Sequence, residues 1–187
     1  MSSRFNIIDT PIEGLKIIQR KLLGDSRGYL ERLFCQADLA DLLNGKTVSQ
    51  INHTLTGTIG TVRGMHFQLP PYAETKFVQC LNGEVYDVAV DIRSDSPTFL
   101  QWHGEILSAG NHKTFLIPEG FAHGFQTLTE DCEMLYFHTS PYNSNAEDAL
   151  NALDPKLAIQ WPLPVTEQSK RDKEHPMINP DFHGVVL

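Results

Sequence analysis

The sequence predicts an all-β domain, and three observations carry that prediction. Turn-forming residues punctuate the chain about every ten residues, at Gly14, Gly24-Asp25, Gly28, Gly45, Gly57, Gly60, Pro70-Pro71, Asn82-Gly83, Ser94 to Pro97, Ala109-Gly110-Asn111 and Pro118-Glu119-Gly120. The segments between them are short and rich in Val, Ile, Phe, Tyr and Thr, residues that fit a pleated, half-buried surface. Helical spacing is scarce. Many short strands with regular turns indicate a sandwich or barrel.

Along the chain, the first helical signal is Gln36–Asn44, with apolar residues at 37, 39, 40, 42 and 43 and a stop before Gly45. Next comes a strand-like stretch that carries Gln50, Asn52, His53, Arg63, His66, Gln68 and Lys76. Strands this polar either face water or line a polar cavity. On an ideal strand Arg63 and His66 point to opposite faces, so Gly64 between them must host a bulge if both are to share one pocket. Asn82-Gly83 is a two-residue turn that predicts a hairpin joining 76–81 to 84–91. In the second strand Val85, Asp87, Ala89 and Asp91 share one face, and Tyr86, Val88 and Val90 the other. The heavier apolar face is expected against a second sheet. The Asp87 face is a candidate pocket wall, with a water-facing edge as the plain alternative.

Further on, Pro118-Glu119-Gly120-Phe121-Ala122-His123 reads as a turn followed by a strand-borne histidine, and Glu133–Phe137 as a strand with one phenol, Tyr136. Asn145–Leu153 is expected to add a helical turn or two, ended by Asp154-Pro155. The charged run Lys170-Arg171-Asp172-Lys173-Glu174 reads as a solvated face, and Pro162, Pro164, Pro176 and Pro180 as marks of a surface loop.

At 187 residues the chain has the size of one domain, residues 1–187, large enough to bury a core without staples. Fifteen Lys and Arg against 23 Asp and Glu give a net charge of −8. That balance supplies no global field for nucleic acid or an anionic membrane, so any anionic ligand needs a local basic cluster. No apolar run is long enough to span a bilayer, and Met1-Ser2-Ser3-Arg4-Phe5-Asn6 lacks a signal-peptide pattern. Cys35, Cys80 and Cys132 are odd in number and widely spaced, as free thiols in a reducing cytoplasm would be.

A single strand histidine is more often structural than catalytic, and Tyr136 alone reads equally well as core. Arg63, His66 and Lys76 together shift the balance, because they offer one base and two fixed cations. The string Gly60-Thr61-Val62-Arg63-Gly64-Met65-His66-Phe67-Gln68, then Lys76, Gly83 to Arg93, Ser96-Pro97-Thr98-Phe99 and Ile117 to Phe125 resembles the dTDP-4-dehydrorhamnose 3,5-epimerase family. Asp25-x-Arg27-Gly28, Asp154-Pro155 and Ile159-x-Trp161-Pro162 fit the same pattern, so the resemblance runs from about residue 7 to about residue 177.

The resemblance implies a cupin-type jelly-roll β-barrel with a few short helices that forms a homodimer with shared sites. It implies proton exchange beside the C4 ketone of a nucleotide-linked 4-keto-6-deoxyhexose, inverting C3, C5 or both. Such chemistry needs a base, a group to hold the enolate oxygen and an acid on the opposite face. By resemblance these are His66 with its orienting Asp172, Lys76, and Tyr136. Arg27, Gln50, Asn52, Arg63 and His123 are the implied substrate-binding residues, with the Arg27 region serving the neighbouring subunit. No cofactor and no metal is expected. Asp87 and Lys113 are weaker candidates. The sequence departs from the family pattern at Tyr136-Phe137-His138-Thr139-Ser140-Pro141-Tyr142, where Pro141 replaces the first tyrosine of a pair, and at Arg27 to Glu31, one residue short, so Glu31 receives no role.

Three other readings compete. A mono-epimerase acting on a related nucleotide sugar would use the same residues. A metal-dependent cupin would need a second histidine where Gln68 stands. A non-catalytic nucleotide-sugar-binding barrel would not need the full set His66, Asp172, Lys76 and Tyr136.

Overall fold

The computed structural model describes residues 4–187. Its elements, in chain order, are β1 (Phe5–Asp9), β2 (Lys16–Arg20), β3 (Leu23–Asp25), β4 (Gly28–Leu30), α1 (Ala40–Leu43), β5 (Gln50–Thr56), β6 (Val62–Gln68), β7 (Lys76–Asn82), β8 (Glu84–Asp91), β9 (Trp102–Ser108), β10 (Lys113–Ile117), β11 (Phe121–Thr127), β12 (Cys132–His138), β13 (Glu147–Ala149) and α2 (Lys170–Glu174). A six-stranded sheet runs β1-β2-β10-β7-β12-β5 and a five-stranded sheet β13-β6-β11-β8-β9, while β3 and β4 form a separate hairpin. All strand pairs are antiparallel. The two sheets close on each other as a cupin-type jelly roll.

The core between the sheets joins Val78, Phe115 and Met134 of the larger sheet to Val85, Ala89 and Phe125 of the smaller one. Largely irregular segments, with α1 among them, cover both outer faces. On the six-stranded sheet, Phe34, Leu39 and Leu43 pack on Phe77, Leu116 and Phe137. On the five-stranded sheet, Leu150, Leu157 and Trp161 pack on Val62, Val88 and Val90.

Those covers explain one departure from expectation. The Tyr86, Val88 and Val90 face of β8 meets the C-terminal segment rather than a second sheet. The Asp87 face is the one turned into the barrel, where Asp87 is completely buried. The proline-rich tail is therefore part of the core, held by Trp161 Nε1 donating to the Ala152 carbonyl at 3.0 Å and Trp102 Nε1 to the Leu157 carbonyl at 2.9 Å.

The hairpin expected at Asn82-Gly83 does not form. β7 pairs with β10 and β12, and β8 pairs with β9 and β11, so this turn carries the chain from one sheet to the other. Gly83 has φ +77, and a Cβ there would lie 2.6 Å from Thr129 Oγ1, so the corner needs glycine for conformation and for space.

Helix is rarer than expected. Of residues 36–44 only Ala40–Leu43 are helical, ended by Asn44 in the left-handed region. Residues 145–153 contain no helix. Glu147–Ala149 instead extends the small sheet along the free edge of β6, a tertiary pairing that overrides local propensity. The charged run at 170–174 folds as α2. Ser169 caps its start by accepting from the Asp172 amide at 3.0 Å.

Candidate active site

Cross-strand register places the candidate residues. On the large sheet, Lys76, His138 and Gln50 form one row across β7, β12 and β5, and Val78, Tyr136 and Asn52 form the next. Residues directly opposite in antiparallel strands share a face, so Lys76, Tyr136, His138, Gln50 and Asn52 all point into the barrel. On the small sheet, His66 lies opposite His123 and Arg63 opposite Phe125, with two residues between Arg63 and His66 on β6 but one between His123 and Phe125 on β11.

That extra residue is the bulge expected at Gly64, and it turns both Arg63 and His66 inward. Gly64 adopts φ +134 and packs so closely that a Cβ would sit 2.5 Å from the Gly124 Cα. Only glycine satisfies both conditions.

These faces enclose a cavity of about 280 Å³, whose lining includes Gln50, Asn52, Arg63, His66, Lys76, His123 and Tyr136. Seven of the nine residues expected at the site thus meet around one opening, and Asp172 reaches it from behind. Asp172 is buried on α2, with Oδ1 2.7 Å from His66 Nε2. Burial pulls its carboxyl upward, but the His66 hydrogen bond and charge, with the Ser169 hydroxyl and the Gly64 amide, outweigh it and leave the pKa below its ordinary value. Asp172 is therefore the acceptor, and His66 Nε2 carries the shared proton. The Nδ1 lone pair of His66 is left available as a base.

Lys76 is nearly buried. It donates to the His66 carbonyl at 3.3 Å and pairs with Glu74 at 3.2 Å. Tyr136 faces His66 from the opposite sheet, and burial drives its phenol pKa far upward, so it holds its proton at neutral pH. His123 Nε2 lies 2.8 Å from Asp87 Oδ1. Burial dominates this pair, lowering the His123 pKa and raising that of Asp87. The Asp87 candidate is thus an interior support for His123. Lys113 pairs with Glu105 at 2.7 Å and is not among the residues lining the cavity.

Arg27 is the expected residue that its own chain does not bring in. It lies on the β3–β4 turn with its side chain 87% exposed, paired with Asp25. Glu31, given no role, accepts from Arg20 Nε and faces His112 Nδ1 at 3.2 Å.

The cavity also contains residues to which sequence reasoning gave no part in the epimerase site. Glu74 bridges Lys76 and His138, with Oε2 2.8 Å from His138 Nδ1. Burial works to raise its pKa, but Lys76 and His138 hold it below the ordinary value. His138 stacks on Tyr136 with ring centroids 6.1 Å apart. Glu147, at the rim, accepts from the Tyr142 hydroxyl and pairs with Arg171, both at 2.9 Å. For His138 the period-two spacing Tyr136–His138 was the available signal, since strand residues two apart share a face; Glu74 precedes β7 and had none. The position where a metal cupin would need its second histidine holds Gln68, whose amide is spent on the Tyr72 and Pro141 carbonyls and the Asn143 amide. Among the described residues, one group presents three potential metal-ligand atoms within 4.8 Å of one another: His66, Asp172 and His175.

A base and a phenol facing each other across a polar cavity suit proton exchange at a carbon flanking a carbonyl, and the relatives of the chain match that chemistry. The family model described as dTDP-4-dehydrorhamnose 3,5-epimerase matches residues 9–180. A dTDP-4-dehydrorhamnose 3,5-epimerase from Salmonella typhimurium is 41% identical over 175 residues, which is 92% of this chain and 95% of the relative. The crystal structure of a dTDP-6-deoxy-D-glucose-3,5-epimerase from Legionella pneumophila, in complex with dTDP-4-keto-L-rhamnose, superposes with a TM-score of 0.90 at 40% identity, covering 98% of each chain. A 3′-monoepimerase from Streptomyces bikiniensis, in complex with dTDP-quinovose, reaches 0.84 at 29% identity, covering 91% of this chain and 86% of that one. The match in sequence spans nearly the whole chain and the match in structure extends to both sheets: the chain belongs to the dTDP-4-dehydrorhamnose 3,5-epimerase family.

Proposed function

We propose that the chain is a cofactor-independent isomerase that inverts C3 and C5 of dTDP-4-keto-6-deoxy-D-glucose to give dTDP-4-keto-L-rhamnose. The observation that carries this reading is the placement of His66, oriented by Asp172 at 2.7 Å, across the cavity from the protonated phenol of Tyr136. His66 Nδ1 takes the proton from the carbon beside the C4 ketone, and the electron pair of the broken C–H bond moves into the carbonyl to give an enolate. Lys76 stabilises the developing oxyanion. Tyr136 returns a proton to the opposite face of the carbon, which inverts it, and before the second centre reacts the His66 imidazolium gives its proton to water and the phenolate takes one from water.

Arg63, Gln50, Asn52 and His123 are the groups of the chain that hold the nucleotide sugar, with the Arg63 guanidinium suited to diphosphate oxygens. Arg27 acts in the partner subunit of a homodimer, a reading supported by its exposure and by the bare Leu23, Tyr29 and Leu30 on the same hairpin. The three free cysteines suit a reducing cytoplasm, and no helix among the described residues is long and apolar enough to cross a membrane. Residues 1–187 act as one catalytic domain.

The test is incubation with dTDP-4-keto-6-deoxy-D-glucose in D₂O, reading exchange and inversion at C3 and C5 by NMR. Deuterium at both carbons with inverted product supports the double epimerase. Deuterium and inversion at one carbon alone selects the mono-epimerase that the Streptomyces bikiniensis likeness keeps in view. No exchange from folded protein overturns this substrate.

A further inference from the structure

His175 is the C-cap residue of α2, one turn beyond Asp172. Its Nε2 is buried without a hydrogen-bond partner. A ring nitrogen of His175 lies within 4.8 Å of ligand atoms of both His66 and Asp172. The backbone around it is anchored: Asn151 Nδ2 donates to the His175 carbonyl at 2.9 Å, and Ser169 caps the other end of α2. Asn151 and Asp172 are themselves buried. An orphaned imidazole nitrogen beside a second imidazole and a carboxylate forms a donor set for a borderline divalent ion, since N₂O ligation suits zinc and leaves a fourth position for water. Zinc with bonds of about 2.0–2.1 Å holds tetrahedral ligand atoms roughly 3.4 Å apart, so the site closes when the His66–Asp172 pair, at 2.7 Å, opens slightly and His175 moves inward.

We propose that His66, Asp172 and His175 form an inhibitory zinc site that disarms the base. This rests on the reading of His66 as that base. In the metal-free chain the proton on His66 Nε2 faces Asp172, and Nδ1 holds the free lone pair. A zinc ion on Nε2 needs the lone pair there, which moves the ring proton to Nδ1. The nitrogen that must abstract a substrate proton is then already occupied. One ion thereby blocks the reaction without entering the substrate cavity or unfolding the protein. His175 takes no part in turnover itself. Its role is to add the third ligand that a His–Asp pair lacks.

The experiment uses the full chain stripped with EDTA. Zinc chloride alone is titrated calorimetrically, and epimerase activity is followed in parallel for the wild type, His175→Phe and His175→Gln. Expected are one tight equivalent of zinc in the wild type, loss of activity at the same stoichiometry, recovery with EDTA, and no effect of magnesium. Both variants should keep metal-free activity within about twofold and bind zinc at least about tenfold more weakly. Two variants are used so that a misfolded one, recognised by its melting curve, does not decide the matter. Absence of stoichiometric binding, equal zinc affinity in the folded variants and wild type, or binding without inhibition would each overturn the proposal. Calorimetry reads the site even if the sugar chosen for the assay proves not to be a substrate.

Discussion

His66 and His123 are direct cross-strand neighbours on β6 and β11, yet each addresses a different carboxylate, Asp172 at 2.7 Å and Asp87 at 2.8 Å. The first carboxylate comes from the C-terminal segment and the second from the barrel floor. Two similar imidazoles are thereby given different tasks. His66 is half-buried with Nδ1 left open, while burial lowers the His123 pKa and keeps it a neutral hydrogen-bonding group in the wall.

Replacing the base isolates its contribution. His66→Ala is expected to lower kcat by about 10²–10⁴-fold while leaving the melting temperature close to wild type, because the ring borders the cavity and supports little packing. Asp172→Asn should reduce activity and alter the acid limb of the kcat/KM profile, since an amide can no longer fix the Nε2–H tautomer. An unchanged profile would remove Asp172 from its orienting role.

Tyr136→Phe separates proton removal from inversion. The variant keeps the buried ring and loses only the hydroxyl. It should still exchange substrate protons into D₂O from the His66 face while net epimerisation falls by about 10²–10⁴-fold. Inversion at the wild-type rate would place the acid elsewhere, with His138, stacked on Tyr136, the first alternative to examine.

Glu74→Gln probes the support of Lys76. The variant leaves a buried ammonium without its countercharge, which costs about 3–5 kcal/mol at neutral pH. Glu74 has a folded pKa below its ordinary 4.5, so its contribution is complete above that value and is lost as pH falls through the lower folded one. The gap in melting temperature between wild type and variant should therefore be widest near neutrality and narrow below about pH 4. A gap that is flat across that range would show that the carboxylate charge is not what holds Lys76.

Gly64→Ala tests the bulge. A Cβ 2.5 Å from the Gly124 Cα, at φ +134, cannot be accommodated by rotating a side chain, so the two strands must part. The expected loss is about 3 kcal/mol, or roughly 6–12 °C in melting temperature for a chain of this size. Activity should fall further than stability accounts for, because Arg63 and His66 lose their shared face.

Arg27→Ala addresses the shared site. It should be folded and nearly inactive, as should His66→Ala. Mixing the two after reversible dissociation should restore about a quarter of wild-type activity, because half of the reassorted dimers carry one site with both residues intact. No recovery on mixing would confine Arg27 to its own chain or to no role.

Much of this architecture was legible in the residues. The strand-and-turn pattern predicted an all-β chain, Gly64 marked the bulge, and the strings around His66, Lys76, His123 and Tyr136 pointed to the cavity. What escaped was decided by long-range pairing. Asn82-Gly83 is a true reversal, but local chemistry does not say which sheet the next strand joins. Residues 145–153 have acceptable helical character, and the open edge of β6 takes Glu147–Ala149 as a strand instead. The charged run at 170–174 looked like surface because five of its neighbours are polar or charged. Composition and spacing give no sign that Asp172 turns inward; the family resemblance named it, and the contact with His66 shows it. Glu74 and His138 were hidden for the opposite reason, since each has a plain local reading as a surface polar residue.

The separation of His66 from Asp172 by 106 residues has a consequence for how the protein is made. All the strands of both sheets precede residue 150, so the segment that bears Asp172 and covers the outer face of the small sheet leaves the ribosome after every strand. A chain without that segment would leave the outer face of the small sheet bare and His66 without its carboxylate partner. Both gaps are filled at once when the tail crosses the outside of the small sheet and seats α2 behind β6.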